Sequence, residues 1–417
     1  MTKNTKEVQK GVKKPKPYIY WFFVPLGRFL FRIFFNVKRR YTPEAKALKK
    51  SKEPMVVIGT HTSAMDFMLM LTALMPKRLN VVCGRDLLAW KAVRPVAKGA
   101  GIIPISQFDM DLQSLREMKY AIKNGCSLSI FPEGKISVDG RPLHHMSKSI
   151  PKLLKFLDVP VVMVHNNGGY SSRPRWFNGI KKGKIETEVY QLFTKEEVHN
   201  LSKDELYARL VEAFDFNDNI YQQENGIRYR SWAPAKNLQF LLYKCPRCGA
   251  EYEMTTSKNN ITCNKCGNDV RFSEFGRFIP DEKSFAFDRI DTWYNYQRES
   301  VREEIKNPDF RISKQVTWAK QLTPISEKVP AGEGELYIDN TNIGFIGKTN
   351  NGEEVCMTIP LKLYATIVQK TDEGIDLTLD SCINRFMFVE GKYSTKYNLI
   401  VEEQFRRLNN LPPVKKD

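Results

Sequence analysis

The sequence has no uninterrupted run of the ~20 apolar residues that a membrane-spanning helix needs. Its one long apolar and aromatic stretch, residues 18–35, is divided by Pro25 and Gly27 and carries Arg28 and Arg32 one helical turn apart on its second half. A simple span is therefore not expected. An interfacial segment or a shallow hairpin with its rings at headgroup depth fits better, and a core helix of the globular part is the alternative. No small-residue cleavage site follows the stretch, so a secretory signal is not expected and paired disulfides fit poorly. Acid is scarce at the start: residues 1–50 hold fourteen Lys or Arg against two Glu, most of the net +18. That segment is an electrostatic handle for an anionic membrane surface or a nucleic acid. The aromatic run, flanked by Lys13, Lys14, Lys16, Lys38, Arg39 and Arg40, favours lipid.

What is present suffices for real cores. At 417 residues, 42% hydrophobic and 12% aromatic, the chain can form two or three globular domains. Residues 55–66 organise the first of them. Val56, Val57 and Ile58 read as a buried strand, Gly59 and Thr60 break it, and Thr62 or Ser63 can cap a helix on which Met65, Met68, Leu69 and Thr72 recur at helical spacing. His61 then stands at the carboxyl end of a strand and Asp66 in the first turns of the next helix, the crevice where open α/β sheets bind ligands. A carboxylate meeting that imidazole would fix its tautomer and stabilise the imidazolium, which a general base working near neutral pH requires. The plain alternative is a strand-end histidine satisfied by a neighbour and a first-turn acid favoured by the helix dipole.

Further along, strands and helices alternate. Strands are expected over 79–83, 101–105, 127–131, 159–164 and 186–192, and helices over 85–98, 110–123, 147–157 and 195–214, which implies an α/β sheet flanked by helices. The strand at 127–131 runs into Pro132, Glu133, Gly134 and Lys135, a turn that exposes polar groups and lets a ligand approach the backbone at Gly134. Glu133 could bond a hydroxyl and Lys135 an anionic group; a surface turn with a solvated charge pair is the alternative.

Four blocks in this order, His61 with Asp66, residues 101–107, residues 131–134 and residues 159–164, resemble the motifs of the glycerolipid acyltransferases, the lysophosphatidic acid acyltransferase family, over about residues 50–215. The resemblance implies an enzyme at the cytoplasmic face of the cell membrane, peripheral or monotopic. It would move a fatty acyl group from acyl-coenzyme A or acyl-carrier protein to the hydroxyl of a lysophospholipid such as 1-acylglycerol-3-phosphate, without a covalent enzyme intermediate. His61 would be the base and Asp66 its orienter, with Glu133 and Gly134 seating the acceptor. The residue chemistry agrees: a thioester is already activated, so a positioned base and a few donors at the developing oxyanion suffice, and N–H groups at the helix start after His61 could supply them. Cys83 and Cys126 lie in apolar strand contexts and read as core.

Two departures from the family pattern bear on the acceptor. The second block commonly ends in Arg and the third commonly reads Pro-Glu-Gly-Thr-Arg, whereas this chain has Gln107 and then Lys135 with Ile136. Lys135, shifted by one residue, or Arg141 from the next turn would hold an acceptor phosphate. Otherwise the acceptor is a glycolipid or another lipid without that phosphate. The basic, aromatic loop 168–176 with Lys181, Lys182 and Lys184 reads either as part of a membrane-facing or coenzyme A-binding rim or as a solvated loop. His144 and His145 receive no role.

Cys245 and Cys248, then Cys263 and Cys266, form two Cys-x-x-Cys knuckles, each closely followed by glycine, at the spacing of a four-thiolate zinc ribbon. With no open position, such a zinc ion is structural, and iron is the alternative. The ribbon's Lys244, Arg247, Lys258, Lys265, Arg271, Tyr243 and Tyr252 could form a nucleic-acid surface, but nucleic acid is not expected beside acyltransferase blocks. A ribbon-bearing scaffold with an inactive acyltransferase domain remains the reading from another class. Residues 225–238 resemble a linker beside such ribbons in a bacterial branch of the family. The expected organisation is a membrane-associating segment (1–50), the acyltransferase domain (51–222), a linker (223–240), the ribbon (241–275), a helical linker (276–330) and a small β-rich domain of pleckstrin-homology-like type (331–417).

Overall fold

The computed structural model describes residues 14–89, 97, 99–105, 112–142, 146–323, 326–370, 374–379 and 382–414. Lys13, Gln107, His144, His145, residues 90–96 and 98 of the helix expected over 85–98, and the start of the helix expected at Met110 lie outside these residues. The chain forms two compact units, one of Met1–Ser137, Arg141–Ser172 and Gly183–Asp218, the other of Val138–Gly140, Arg173–Lys182 and Asn219–Asp417.

The first unit is a seven-stranded sheet. Its strands are β1 (Lys38–Tyr41), β2 (Val56–Gly59), β3 (Leu79–Gly84), β4 (Ile103–Ile105), β5 (Ser127–Ile130), β6 (Val161–Asn167) and β7 (Glu186–Phe193), in the order β1-β7-β6-β2-β5-β3-β4. Every pairing is parallel except β6 with β7. The central β2 and β5 are buried at every position, which is why they read as continuous rather than alternating apolar runs. Successive side chains enter opposite faces. Val56, Ile58, Leu128, Val161 and Met163 pack in one core with α4 (Leu112–Lys123), α5 (Ser149–Leu157) and α8 (Lys203–Ala213). Met55, Val57, Val162 and Val164 pack in the other with α1 (Pro17–Phe35), α2 (Pro43–Lys50) and α3 (Asp66–Leu74). The α/β sheet with helices on both faces is thus present.

Three elements differ from expectation, and one lies in the second unit: the stretch 276–330, expected as a helical linker, holds its helix but also the strand Arg311–Gln321 and the start of the strand Lys328–Asp339. The single helix expected over 195–214 is two, α7 (Lys195–Asn200) and α8, because Thr194 and Ser202 each form a capping box with the glutamate three residues on. The apolar stretch is one continuous helix, α1, with Pro25 inside it, rather than a hairpin, and by length and composition it could cross a membrane. One side docks on the unit: Tyr20 and Val24 are buried, the Tyr20 hydroxyl donates to the Lys77 carbonyl at 2.6 Å, and Gly27 lies so close to Met68 that a Cβ would stand 3.2 Å from its Cγ. Tyr18, Trp21, Phe22, Phe29 and Ile33 are exposed on the remainder.

A short turn of helix, α6 (Gly169–Ser172), follows β6, and α9 (Asp218–Glu224) leads into the second unit. There β8 (Met254–Ser257), β9 (Asn260–Cys263), β10 (Asp269–Phe272) and β11 (Phe278–Pro280) form an antiparallel ribbon, followed by α10 (Ile290–Glu304). A seven-stranded antiparallel sheet comes next, comprising β12 (Arg311–Gln321), β13 (Lys328–Asp339), β14 (Asn342–Thr349), β15 (Glu354–Pro360), β16 (Val368–Lys370), β17 (Gly374–Leu379) and β18 (Cys382–Phe388). A four-strand and a three-strand meander meet where β12 pairs with β18, and α11 (Ser394–Leu408) packs on α10 and on the sheet. Arg298 of α10 is buried between Glu402 and Glu403 of α11, each at 2.7 Å.

Lys181 is on no solvent-facing rim. Its ammonium is buried among the rings of Trp176, Phe177 and Phe272, at 4.2, 4.8 and 5.3 Å from their centroids, and donates to the Pro234 carbonyl at 3.0 Å. Burial pushes it down to about 7. The unfolded chain therefore binds the extra proton between that pH and the ordinary lysine range, so the penalty is full below pH 7 and is relieved as pH rises. Lys181→Met, of similar length and suited to ring contacts, is expected to raise the melting temperature at pH 6 by roughly 5 °C and to lose that advantage towards pH 10. Thermal melts across this range check it.

Candidate active site and metal centre

The first unit builds its site at the carboxyl end of β2. Only glycine fits at position 59, since a Cβ there would meet the Met70 Cε at 2.6 Å and the Val164 carbonyl at 2.9 Å. The chain then turns through His61 into α3, whose first residue is the fully buried Asp66. His61 Nδ1 lies 3.4 Å from Asp66 Oδ2, and the histidine side chain is 20% exposed. Two donors besides the histidine hold the carboxylate. The Ser63 N–H donates to Oδ2 at 2.6 Å and the Asn166 amide to Oδ1 at 3.2 Å, while Thr187 donates to the Asn166 carbonyl oxygen at 3.1 Å. With Nδ1 turned to Asp66, Nε2 is the ring nitrogen left to exchange a proton. A separation of 3.4 Å is long for a hydrogen bond, as it commonly is before substrate binds.

The turn 131–137 frames the same histidine. Phe131 stacks on its ring with centroids 4.4 Å apart. The His61 N–H donates to Glu133 Oε1 at 2.5 Å, and its carbonyl accepts from the Ser137 N–H at 2.7 Å. Gly134 has φ 70°, a left-handed conformation that favours glycine. Glu133, Lys135 and Arg141 are all buried, so none of them is a solvated surface charge. The structure therefore brings His61, Asp66 and Glu133 together and sets Glu133 on the backbone of His61.

Sequence reasoning missed Asn166, Thr187 and Asp218. The polar Asn166 and Asn167 ending an apolar strand were a signal for the first; nothing local marks the others. Asp218 is buried and accepts the N–H groups of Gly168 and Ser171, the latter at 2.8 Å. Burial pushes its carboxyl up to about 6 against those hydrogen bonds, and the charge of Asp66 adds to the rise.

In the second unit, the thiols of Cys245, Cys248, Cys263 and Cys266 all lie within 4.8 Å of one another. Cys245 and Cys266 are 3.7 Å apart, and Cys248 and Cys263 are 3.8 Å apart. Four sulfurs about 2.3 Å from one tetrahedral ion stand about 3.8 Å apart, so the residues fit such an ion. The two knuckles repeat one geometry. The Gly249 N–H donates to the Cys245 carbonyl at 3.0 Å and the Gly267 N–H to that of Cys263 at 2.9 Å, and both glycines have positive φ. All four ligand positions come from the protein, which leaves none for a substrate.

Residues 36–164 match the Acyltransferase family. The first unit therefore carries an acyltransferase domain. All four ordered blocks lie inside the matched stretch. No curated protein matches the sequence significantly. Among solved structures, the chain is similar to the crystal structure of the 1-acyl-sn-glycerophosphate (LPA) acyltransferase, PlsC, from Thermotoga maritima, at 20% identity and a TM-score of 0.41, over 51% of this chain and 82% of that one.

Elemental analysis of the purified chain is expected to find one metal ion per chain at the four thiols, and Cys263→Ser to lose both the ion and at least ~3 kcal/mol of second-unit stability. An unchanged melting curve after the ion is chelated would contradict a structural role.

Proposed function

We propose that the first unit transfers a fatty acyl group from an acyl-coenzyme A or acyl-carrier-protein thioester to the hydroxyl of a lysophospholipid such as 1-acylglycerol-3-phosphate. The observation that carries this reading is the His61–Asp66 pair, in which both carboxylate oxygens are fixed from inside while the imidazole stays open to solvent. His61 Nε2 takes the acceptor's hydroxyl proton as its oxygen attacks the thioester carbonyl. The C–O bond forms, the C–S bond breaks, and the proton passes from the imidazolium to the departing thiolate. Asp66 stabilises the imidazolium between these events. At the helix start, the N–H groups of Ser63 and Met65 are already engaged by Asp66 and the Ser63 hydroxyl, so a donor to the oxyanion there is another N–H group of that turn.

Lys135 and Arg141 are the cations suited to an acceptor phosphate. The exposed aromatic side of α1, with the basic residues beside it, supports attachment to an anionic, cytoplasm-facing membrane surface. Because its other side is docked on the unit, the helix fits one lying in the interface better than one crossing the bilayer. Zinc suits the four-thiolate centre, by ligand type and sulfur spacing.

Release of free thiol from a long-chain acyl-coenzyme A with lysophosphatidic acid as acceptor tests the reading. His61→Ala is expected to lower turnover by about 10²–10⁴-fold. Turnover with a bacterial lipid extract but not with lysophosphatidic acid would move the acceptor to a lipid without that phosphate. No His61-dependent release with either acceptor, from coenzyme A or carrier-protein thioesters, would overturn the enzyme in favour of a scaffold.

A further inference from the structure

Besides Asp66 and Glu133, the first unit holds a buried carboxylate, Asp218, that the transfer chemistry does not use. Asp218 is the last residue of that unit and lies outside the matched stretch 36–164. Its two oxygens accept the N–H groups of Gly168 and Ser171 and so close the turn that follows β6. Gly169, inside that turn, faces the dyad: a Cβ there would stand 3.1 Å from Asp66 Oδ1 and 3.3 Å from Thr62 Oγ1. Asn166, which donates to the same Oδ1, stands at the end of β6 just before the turn. One wall around Asp66 is therefore a tight loop of backbone fastened by Asp218.

We propose that Asp218 is a positioning residue of the acyl-transfer site: by clamping the turn 168–171 it seats Gly169 and Asn166 against Asp66 and so keeps Asp66 where it orients His61. This rests on the reading of His61 as the base. Among the described residues, the groups that face the Asp218 carboxyl are the N–H donors of Gly168 and Ser171, the Ser171 side chain, and the charge of Asp66. On protonation one oxygen becomes a donor, and only the remaining capacity can accept an N–H. The clamp therefore loosens as pH falls through about 6, and the acid limb of the rate carries a proton of Asp218 besides that of the base.

The test is steady-state kinetics of wild type, Asp218→Asn, Gly169→Ala and His61→Ala with long-chain acyl-coenzyme A and lysophosphatidic acid across the acid limb, with thermal melts alongside. Asp218→Asn turns an amide against one of the two donors. Gly169→Ala keeps the clamp but drives a methyl group towards Asp66, so it decides the question even where Asp218→Asn does not fold. Both are expected to lower kcat by about 10-fold or more with KM within about twofold, as a misplaced catalytic group does. The fall in rate through about pH 6 in wild type is expected to weaken in Asp218→Asn, which lacks that proton. Folded Gly169→Ala with wild-type kcat overturns the proposal, as does a loss carried by KM or an unchanged acid limb in folded Asp218→Asn. If His61→Ala keeps full turnover, the reading of the base fails; if it is inactive while Gly169→Ala turns over normally, only the role of Asp218 is lost.

Discussion

A carboxylate removed from water must have its oxygens satisfied by fixed donors, and Asp66 is such a carboxylate. Each donor comes from a different part of the first unit: Ser63 from the entry to α3, and Asn166 from the end of β6, itself held by Thr187 of β7. The histidine is placed by this arrangement rather than by a tight bond of its own. Its ring lies between Asp66 and Phe131, and its main-chain N–H and carbonyl are taken up by Glu133 and Ser137. Two strand ends and one helix start thus converge on a single side chain, which is held in place while 20% of it stays exposed.

Sheet register makes that convergence possible. β2 pairs in parallel with both β5 and β6, so the residues leaving all three strands gather at one end of the sheet, where open α/β folds place their ligands. The antiparallel turn-back of β7 sets Thr187 directly opposite Asn166. A one-residue slip would move Thr187 to the other face and leave the Asn166 amide free to rotate. The single antiparallel pair in this sheet thus supports the dyad from outside the strand that carries it.

How much of this the sequence disclosed follows from how local each signal is. The strand–turn–helix around His61 and Asp66 was legible because a run of β-branched residues, a glycine and a helical period fall within twelve positions. The four cysteines were legible for the same reason, because each knuckle is closed by its own glycine. Asn166, Thr187 and Asp218 reach the site through tertiary pairing, and no local pattern could assign them. α1 shows the opposite failure. Pro25 and Gly27 are breaking signals taken alone, but packing of Tyr20 and Val24 against α3 and the following loop, and the close approach that Gly27 permits at Met68, carry the helix through. Lys181 was read as a surface cation because its neighbours in sequence are basic, and only the fold reveals the three rings around it.

In the second unit the four-thiolate cluster is connected well beyond its own knuckles. Glu251, between the two cysteine pairs, receives Lys244 at 3.2 Å and Lys396 of α11 at 2.7 Å, and Lys396 also reaches Glu304 of α10 at 2.8 Å. These groups are partly buried, so screening is weaker than at an open surface, and removing one member leaves its partner's charge without compensation. The Trp293 indole N–H donates to the Lys244 carbonyl at 2.9 Å, and Gln297 bridges the Lys244 N–H and the Leu241 carbonyl. The backbone that presents Cys245 is therefore the backbone on which α10 is seated. An ion that fixes the first knuckle also fixes the seat of α10, and through Arg298 and the paired glutamates that of α11 on the neighbouring sheet. The ribbon is thus tied by side-chain and backbone bonds to both helices of its unit.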